Sequence, residues 1–413
     1  MDLPVFRPID FLALLDTPAG RIRLVAAADG QDENVVLAQA RGYAMRIAAD
    51  FSLPIARWGD RLLSGAFRCL FDDIEVQGLE GLQALEGKAT LVYLPCHRSH
   101  LDYLLLSHII YRNGLMPPHV AAGDNMNMPL LGRFLRKGGG FFMRRKFKGD
   151  ALYATVFALY MEALLTRGLS VEFFIEGGRS RTGHMLPPQT GLLGMVLEAL
   201  VRHSERPIVL VPVYLGYEKL PEGRSFLREL AGKPKRRESW WDLVAALRLL
   251  FQRFGRPCLS FGKPLSLVTW LDAHAAGWRA AAPDGQPDMR SYLPMLAGEV
   301  VRRIEAAAPL NAVNLLACAL LSEPSARLPR GELEQRIAEL KMQVNLTGAS
   351  VTEFSPANCI DHALRLEMVE TQGGWVVAAD EKAALLEYFR NNVQHHFATP
   401  LCNDKEPEWK RPG

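Results

Sequence analysis

The sequence predicts an α/β fold: a mixed sheet flanked by helices over residues 86–290, preceded by a helical segment (1–85) and followed by a helical domain (291–413). Three observations predict it. Short apolar runs alternate with segments of helical period between about residues 89 and 261. Past about residue 290 the strand signal fades and helical spacing takes over. The 413 residues, 49% hydrophobic and 23% charged, suit one large core with helical additions.

Taken in order, residues 1 to about 34 carry no clear pattern. From Val35 to Phe71 apolar residues recur at helical spacing, with a break near Pro54. Ala89–Leu94 is a buried strand. Leu101–Arg112 is a helix ending at Asn113-Gly114. Strands follow at His119–Ala122 and Gly140–Arg144, a helix at Ala151–Thr166, and a strand at Leu169–Ile175. Gly191–His203 is a helix, Pro207–Tyr214 a strand, and Leu259–Phe261 a last strand. Helices are expected at Tyr292–Ala307, Ala312–Leu321, Gly331–Val344, Asn358–Met368 and Glu381–Asn392, with a small strand pair around Trp375–Val377.

Composition excludes several function classes. A net charge of +3 gives no general attraction to nucleic acid. The six cysteines are scattered without a CxxC pair, which fits reduced thiols in a cytoplasmic setting. The N-terminus lacks the basic start and apolar run of a secretory signal. No stretch has the roughly 18 apolar residues of a spanning helix, so membrane contact is expected to be peripheral. Lys233, Lys235, Arg236 and Arg237 precede Trp240, Trp241 and an amphipathic Leu243–Phe254, a pattern suited to an anionic lipid surface or to a helix packed on its own domain.

The chemistry concentrates in four segments. In Pro95-Cys-His-Arg-Ser-His-Leu-Asp102, His97 falls just beyond the end of a buried strand, where α/β sheets bind ligands. Asp102 opens the next helix, and across that corner the two side chains can touch. A carboxylate on one imidazole nitrogen fixes the tautomer and leaves the other as a base. His119 and Asp124 repeat the spacing, but His119 opens a strand instead of closing one, so this pair is the decoy. A metal reading through His97, His100 and Asp102 lacks further ligands at usual spacings. Residues 137–148 follow three glycines with Arg144, Arg145, Lys146 and Lys148, cations suited to a phosphate or to a solvated edge. In residues 173–183, a strand empties into Glu176-Gly177-Gly178, and Arg179, Ser180 and Arg181 offer an anion cradle. Glu176 is placed to accept from a substrate hydroxyl or to hold an arginine. The strand around Pro212 walls an acyl channel or is plain core.

Together PCHRSHLDYLLLS, GGFFMRRKFKG, VEFFIEGGRSRTG and VPVYLGYE resemble, in order, the blocks of the glycerolipid acyltransferases, in particular the bacterial glycerol-3-phosphate 1-acyltransferases. The resemblance runs from about Arg46 to Phe397 and takes in DHAL and YFRNNVQHH. It implies His97 and Asp102 as catalytic dyad. It implies that Arg144, Arg145, Glu176, Gly177, Arg179 and Arg181 bind glycerol 3-phosphate, and that Pro212 serves catalysis or acyl binding. The donor implied is acyl-CoA or acyl-carrier protein, with no metal or bound cofactor. Because donor and product are amphiphilic, a peripheral place at the cytoplasmic face of the bacterial inner membrane is expected. Members are usually much longer at both ends. The rival readings are a phosphotransferase, for which no nucleophile sits in a phosphate loop, a non-catalytic lipid-binding protein, and a transferase acting on dihydroxyacetone phosphate or 1-acyl-glycerol 3-phosphate. The mechanism expected is direct transfer, with amides near Arg98 and Ser99 as oxyanion donors and Cys96 turned away from the reaction.

Overall fold

The computed structural model describes residues 6–28, 30–144, 147, 149–203, 205–223, 226, 252–275, 277–279, 289–378 and 382–397. The basic and tryptophan-bearing stretch at 233–241 lies outside the described residues, as does most of the amphipathic segment after it. Among the described residues no helix is long and apolar enough to cross a membrane.

The chain opens with helices that the sequence pattern did not show. α1 (Pro8–Leu15) and α2 (Pro18–Ala27) occupy the stretch that looked patternless. Each is too short to display a period. Each has proline in its first turn, and Thr17 caps α2 by accepting from the Gly20 amide. Phe11, Leu15 and Leu24 are fully buried, and the Phe11 ring meets Tyr160 edge-on at 5.0 Å. α3 (Glu33–Ile47) and α4 (Leu53–Leu70) follow, with Pro54 at the start of α4 where the break was expected.

Eight strands among the described residues form the main sheet: β1 (Glu75–Gln77), β2 (Thr90–Pro95), β3 (His119–Gly123), β4 (Gly140–Met143), β5 (Val171–Glu172), β6 (Ile208–Gly216), β7 (Cys258–Phe261) and β8 (Leu265–Ser266). Their order is β1-β7-β6-β2-β5-β3-β4, with β8 also against β6. β6, β2, β5, β3 and β4 run parallel, while β7 and β8 run antiparallel to β6. The sheet is therefore mixed, as expected. β1 corrects the 1–85 boundary, since it pairs in parallel with β7 inside the segment read as helical. Three half-buried residues give no apolar run to read. β8 follows the strand read as last, and only Val171–Glu172 of the run 169–175 pairs as strand.

Among the described residues, the helices between strands are α5 (Glu80–Gln83), α6 (Asp102–Arg112), α7 (Leu131–Lys137), α8 (Ala151–Thr166), α9 (Gly191–Arg202) and α10 (Leu267–His274). With the usual right-handed crossover, this strand order places α6 and α7 on one face and α8 and α9 on the other, and α8 packs against α9. β6 is buried along its whole length and carries Pro212 mid-strand. The proline lies between the residues paired with β8 (Val209, Leu210) and those paired with β7 (from Val213), a gap that spares the ladder an absent N–H.

The C-terminal region is helical, as expected: α11 (Leu293–Ala306), α12 (Ala312–Leu320), α13 (Arg330–Thr347), α14 (Pro356–Arg365) and α15 (Ala383–Asn391). α12 is buried at every position. A small antiparallel sheet joins β9 (Arg327–Pro329), β10 (Glu370–Gln372) and β11 (Trp375–Val377). This region grips the sheet next to the site. Asn311 donates to the Tyr217 carbonyl at 3.3 Å, His362 Nε2 meets Glu218 at 2.7 Å in a buried pair, and Asn391 donates to the Thr182 carbonyl at 2.9 Å.

Candidate active site

β2 ends at Pro95, and the chain turns before α6 begins at Asp102. The turn wraps around the Asp102 carboxylate, which is fully buried. Its Oδ2 accepts from the Arg98 amide at 2.6 Å and the Ser99 amide at 2.9 Å, and meets His97 Nδ1 at 2.9 Å. Its Oδ1 accepts from the Tyr217 hydroxyl at 2.7 Å. With Asp102 ionised, Nδ1 carries the proton and Nε2 is left as the base. The His97 side chain is 15% exposed, and its ring stacks on Phe174 at 3.8 Å between centroids. The expected dyad is therefore assembled in space.

That geometry overturns one expectation. The amides of Arg98 and Ser99 were the candidate oxyanion donors, but both point into Asp102. The His100 amide is likewise taken, by Glu222 at 2.8 Å.

The segment after β5 closes over the same loop. Glu176 is taken up by backbone amides, within the field of Arg98. Its Oε1 accepts from the His97 amide at 2.8 Å and its Oε2 from the Leu186 amide at 2.7 Å, and it is buried. Burial pushes its carboxyl above the ordinary value, against the pull of Arg98 and the two amides. Glu176 thus fixes the backbone of the base. Ser180 is buried too. Its amide donates to the His97 carbonyl at 3.1 Å, and its hydroxyl accepts from the Gly183 amide. Both contacts brace the loop that carries the base. Gly177 has φ +62°, and a Cβ there would come within 2.8 Å of Gln189, so glycine is required for the turn. Its amide donates to the Phe174 carbonyl at 3.0 Å.

Arg179 and Arg181 share one side, as alternation implied. Their guanidinium groups lie over the Phe226 ring at 5.7 Å and 4.4 Å. Arg179 also pairs with Glu222 at 3.3 Å. Glu222 accepts as well from the Ser99 hydroxyl at 3.0 Å, so one carboxylate ties Arg179 to the turn that carries His97. Burial pushes the Glu222 carboxyl up, while the His100 amide and Arg179 pull it down.

The glycine-flanked basic segment sits further off. β4 lies three strands from β2 in the sheet order, roughly 14 Å at the usual strand spacing. Parallel pairing puts Arg144 at the same edge as His97. Its guanidinium is engaged by Asp150 at 2.8 Å and lies over Tyr43 and Tyr153 at 4.9 Å and 4.4 Å. The structure gives Arg144 a bracing role in this corner. Arg145 and Lys148 lie outside the described residues.

The remaining candidates resolve as follows. His119, the decoy, is fully buried and is pushed down to about 4 by burial, against the pull of the Ser170 backbone. Cys96 is fully buried, accepts from the Leu215 amide at 3.1 Å, and is pushed up to about 12 by burial. A thiol this protonated is a poor nucleophile. Iodoacetamide is expected to leave Cys96 unmodified in the folded protein and to label it after denaturation, read by peptide mass. Pro212 is buried mid-strand, and its carbonyl accepts from the Gly262 amide, which matches the core-strand reading.

Sequence reasoning missed Tyr217 and Glu222. Tyr217 follows the end of β6, the neighbour of β2, so the strand-end argument applied to His97 also pointed there. Glu222 sits in a turn five residues on and carried no signal. A surface cavity of about 760 Å³ beside α2, α8 and α9 contains none of these residues.

Comparison with known proteins finds matches along most of the chain. The "Acyltransferase" family matches residues 73–216, and the "Glycerol-3-phosphate acyltransferase C-terminal region" matches residues 226–401. A glycerol-3-phosphate acyltransferase of Pseudomonas paraeruginosa is 42% identical over 397 residues, covering 92% of this chain and 47% of the relative. That of Pseudomonas putida GB-1 is 42% identical over 399 residues, covering 92% and 48%. That of Pseudomonas syringae pv. tomato is 40% identical over 407 residues, covering 94% and 48%. The chain thus spans about half the length of the curated relatives it matches. The crystal structure of the 1-acyl-sn-glycerophosphate (LPA) acyltransferase PlsC from Thermotoga maritima matches at TM-score 0.34 and 15% identity, over 72% of this chain and 94% of that one.

Proposed function

The chain belongs to the glycerolipid acyltransferase family, among relatives named glycerol-3-phosphate acyltransferase, and from that premise we propose that it acylates the sn-1 hydroxyl of glycerol 3-phosphate. The donor is acyl-CoA or acyl-carrier protein, and the product is 1-acyl-sn-glycerol 3-phosphate, the first step of phospholipid synthesis. The enzyme needs no metal or bound cofactor, and works peripherally at the cytoplasmic face of the bacterial inner membrane.

One observation carries the reading: a base held by a buried carboxylate sits on a turn that Glu222 ties to Arg179, and Arg181 lies beside Arg179 over the same Phe226 ring. Arg179 and Arg181 supply charge-assisted hydrogen bonds to the acceptor phosphate. His97 Nε2 removes the hydroxyl proton as oxygen attacks the thioester carbonyl. The tetrahedral adduct collapses with cleavage of the C–S bond, and the imidazolium returns its proton to the departing thiolate.

A thiol-release assay with an acceptor panel tests this. Glycerol 3-phosphate is expected to accelerate release from acyl-CoA, and dihydroxyacetone phosphate and 1-acyl-glycerol 3-phosphate to do so far less. Preference for either of those acceptors, or release that ignores the acceptor, rejects the assignment. In the same assay Arg179→Ala is expected to raise KM for glycerol 3-phosphate about 10- to 100-fold, the worth of one charged hydrogen bond, with kcat nearly kept.

A further inference from the structure

We infer that the outward face of α4 and α7 is a docking surface for an anionic lipid bilayer. Trp58 and Leu62 stand one turn apart on α4, and Leu130 and Phe134 span the start of α7, with Met128 just before. All five are exposed, at 58%, 56%, 70%, 39% and 48% in that order. The two helices meet there: the Trp58 and Phe134 rings contact edge-on at 6.3 Å, and a Cβ on Gly59 would lie 3.5 Å from Phe134. Trp58, Leu62, Leu130 and Phe134 therefore form one patch, with Met128 two residues before it in the chain, whereas exposed apolar side chains usually stand singly.

The charge around the patch names the partner. Arg57 and Arg61 on α4 and Arg133 on α7 are exposed at its rim. α7 contains no acid, and the sole acid of α4, Asp60, is turned inward onto His108 Nδ1 at 2.7 Å. Apolar and tryptophan side chains rimmed by exposed arginines fit a bilayer surface carrying phosphate headgroups, with the exposed Asp124 the one acid of the 124–130 segment. The position fits as well. The segment 124–130 leaves the C-terminal end of β3, which runs parallel to the β5–β2 pair, so Met128 and Leu130 lie toward the sheet edge that bears His97. A bilayer on this face delivers amphiphilic acyl donors to that edge.

This deepens the peripheral placement proposed above and rests on it, and a flotation experiment separates the two. Mixed phosphatidylethanolamine–phosphatidylglycerol vesicles and phosphatidylcholine vesicles serve as probes. Three proteins are compared: the unmodified chain, Trp58→Glu/Leu130→Glu, and Arg57→Gln/Arg61→Gln/Arg133→Gln. The unmodified chain is expected to float with the anionic vesicles and to dissociate with salt. The apolar double variant is expected to bind at least about tenfold more weakly, and the arginine triple variant to lose only its preference for the anionic vesicles. Turnover of a water-soluble short-chain thioester, and the thermal midpoint, are expected to stay unchanged in both. If the double variant floats like the unmodified chain, this face is not the docking surface, while peripheral binding stands. If the unmodified chain floats with neither vesicle, both ideas are rejected. If the double variant instead converts a dimer to a monomer on size exclusion, the patch is a protein interface and the inference is overturned.

Discussion

His97→Ala is expected to lower turnover by about 10²- to 10⁴-fold, the usual worth of a positioned general base, with little change in KM for either substrate. The surroundings make this a clean measurement. Removing the imidazole takes one hydrogen bond from Asp102 and leaves three donors on it: the Arg98 amide, the Ser99 amide and the Tyr217 hydroxyl. The carboxylate stays satisfied, so no buried charge is orphaned. The backbone at 97 stays pinned by Glu176 at its amide and by Ser180 at its carbonyl. Lost packing on Phe174 is partial, because the ring is already open to solvent on one side. The thermal midpoint should therefore move little while thiol release collapses. A variant that keeps turnover within tenfold, with its fold intact, would place the base elsewhere.

The same arrangement explains what was legible beforehand. The dyad could be read because it needs only a strand end, a helix start and a short span between them, all local signals. Burial of the strands, the helical tail and the proline break before α4 are local too. What escaped reading is long-range. Tyr217 reaches Asp102 across 115 positions in the chain, and Glu222 reaches Ser99 across 123. No periodicity encodes such contacts. Glu176, Ser180 and Arg144 had the right chemistry for a phosphate or hydroxyl, yet the fold uses each one to brace backbone or a neighbouring carboxylate. A polar side chain at a strand end states that something is bound there. Whether that partner is substrate or the protein's own amides depends on which chain segments close over it. The short β1 and the helices α1 and α2 were unreadable for a different reason: their burial comes from contact with α8 and β7, not from a period of their own.

Asp102 separates charge from structure, and its two replacements are expected to differ sharply. In Asp102→Asn the carboxamide has one acceptor and one donor end. The acceptor end must take the Oδ2 position, because three N–H groups converge there. The NH2 end then faces Tyr217, whose hydroxyl can rotate and accept in place of donating. Every partner remains satisfied and His97 keeps its tautomer, but the negative charge that favours the imidazolium is gone. Thiol release is expected to fall by about 10²- to 10⁴-fold, with the thermal midpoint close to that of the unmodified chain. Asp102→Ala instead strands the two amides, the hydroxyl and the imidazole nitrogen in a buried pocket. At about 1–3 kcal/mol for each orphaned group, this variant is expected to be grossly unstable to urea. Tyr217→Phe supplies the cross-check. Alone it removes one of four bonds to a carboxylate that retains three. Combined with Asp102→Asn it leaves the carboxamide NH2 facing a ring edge, so the double variant should lose more stability than the sum of the single ones. Additive losses would show that Tyr217 does not hold the Oδ1 side of the site, and equal stability of the Asn and Ala variants would show that the buried network contributes nothing to the fold.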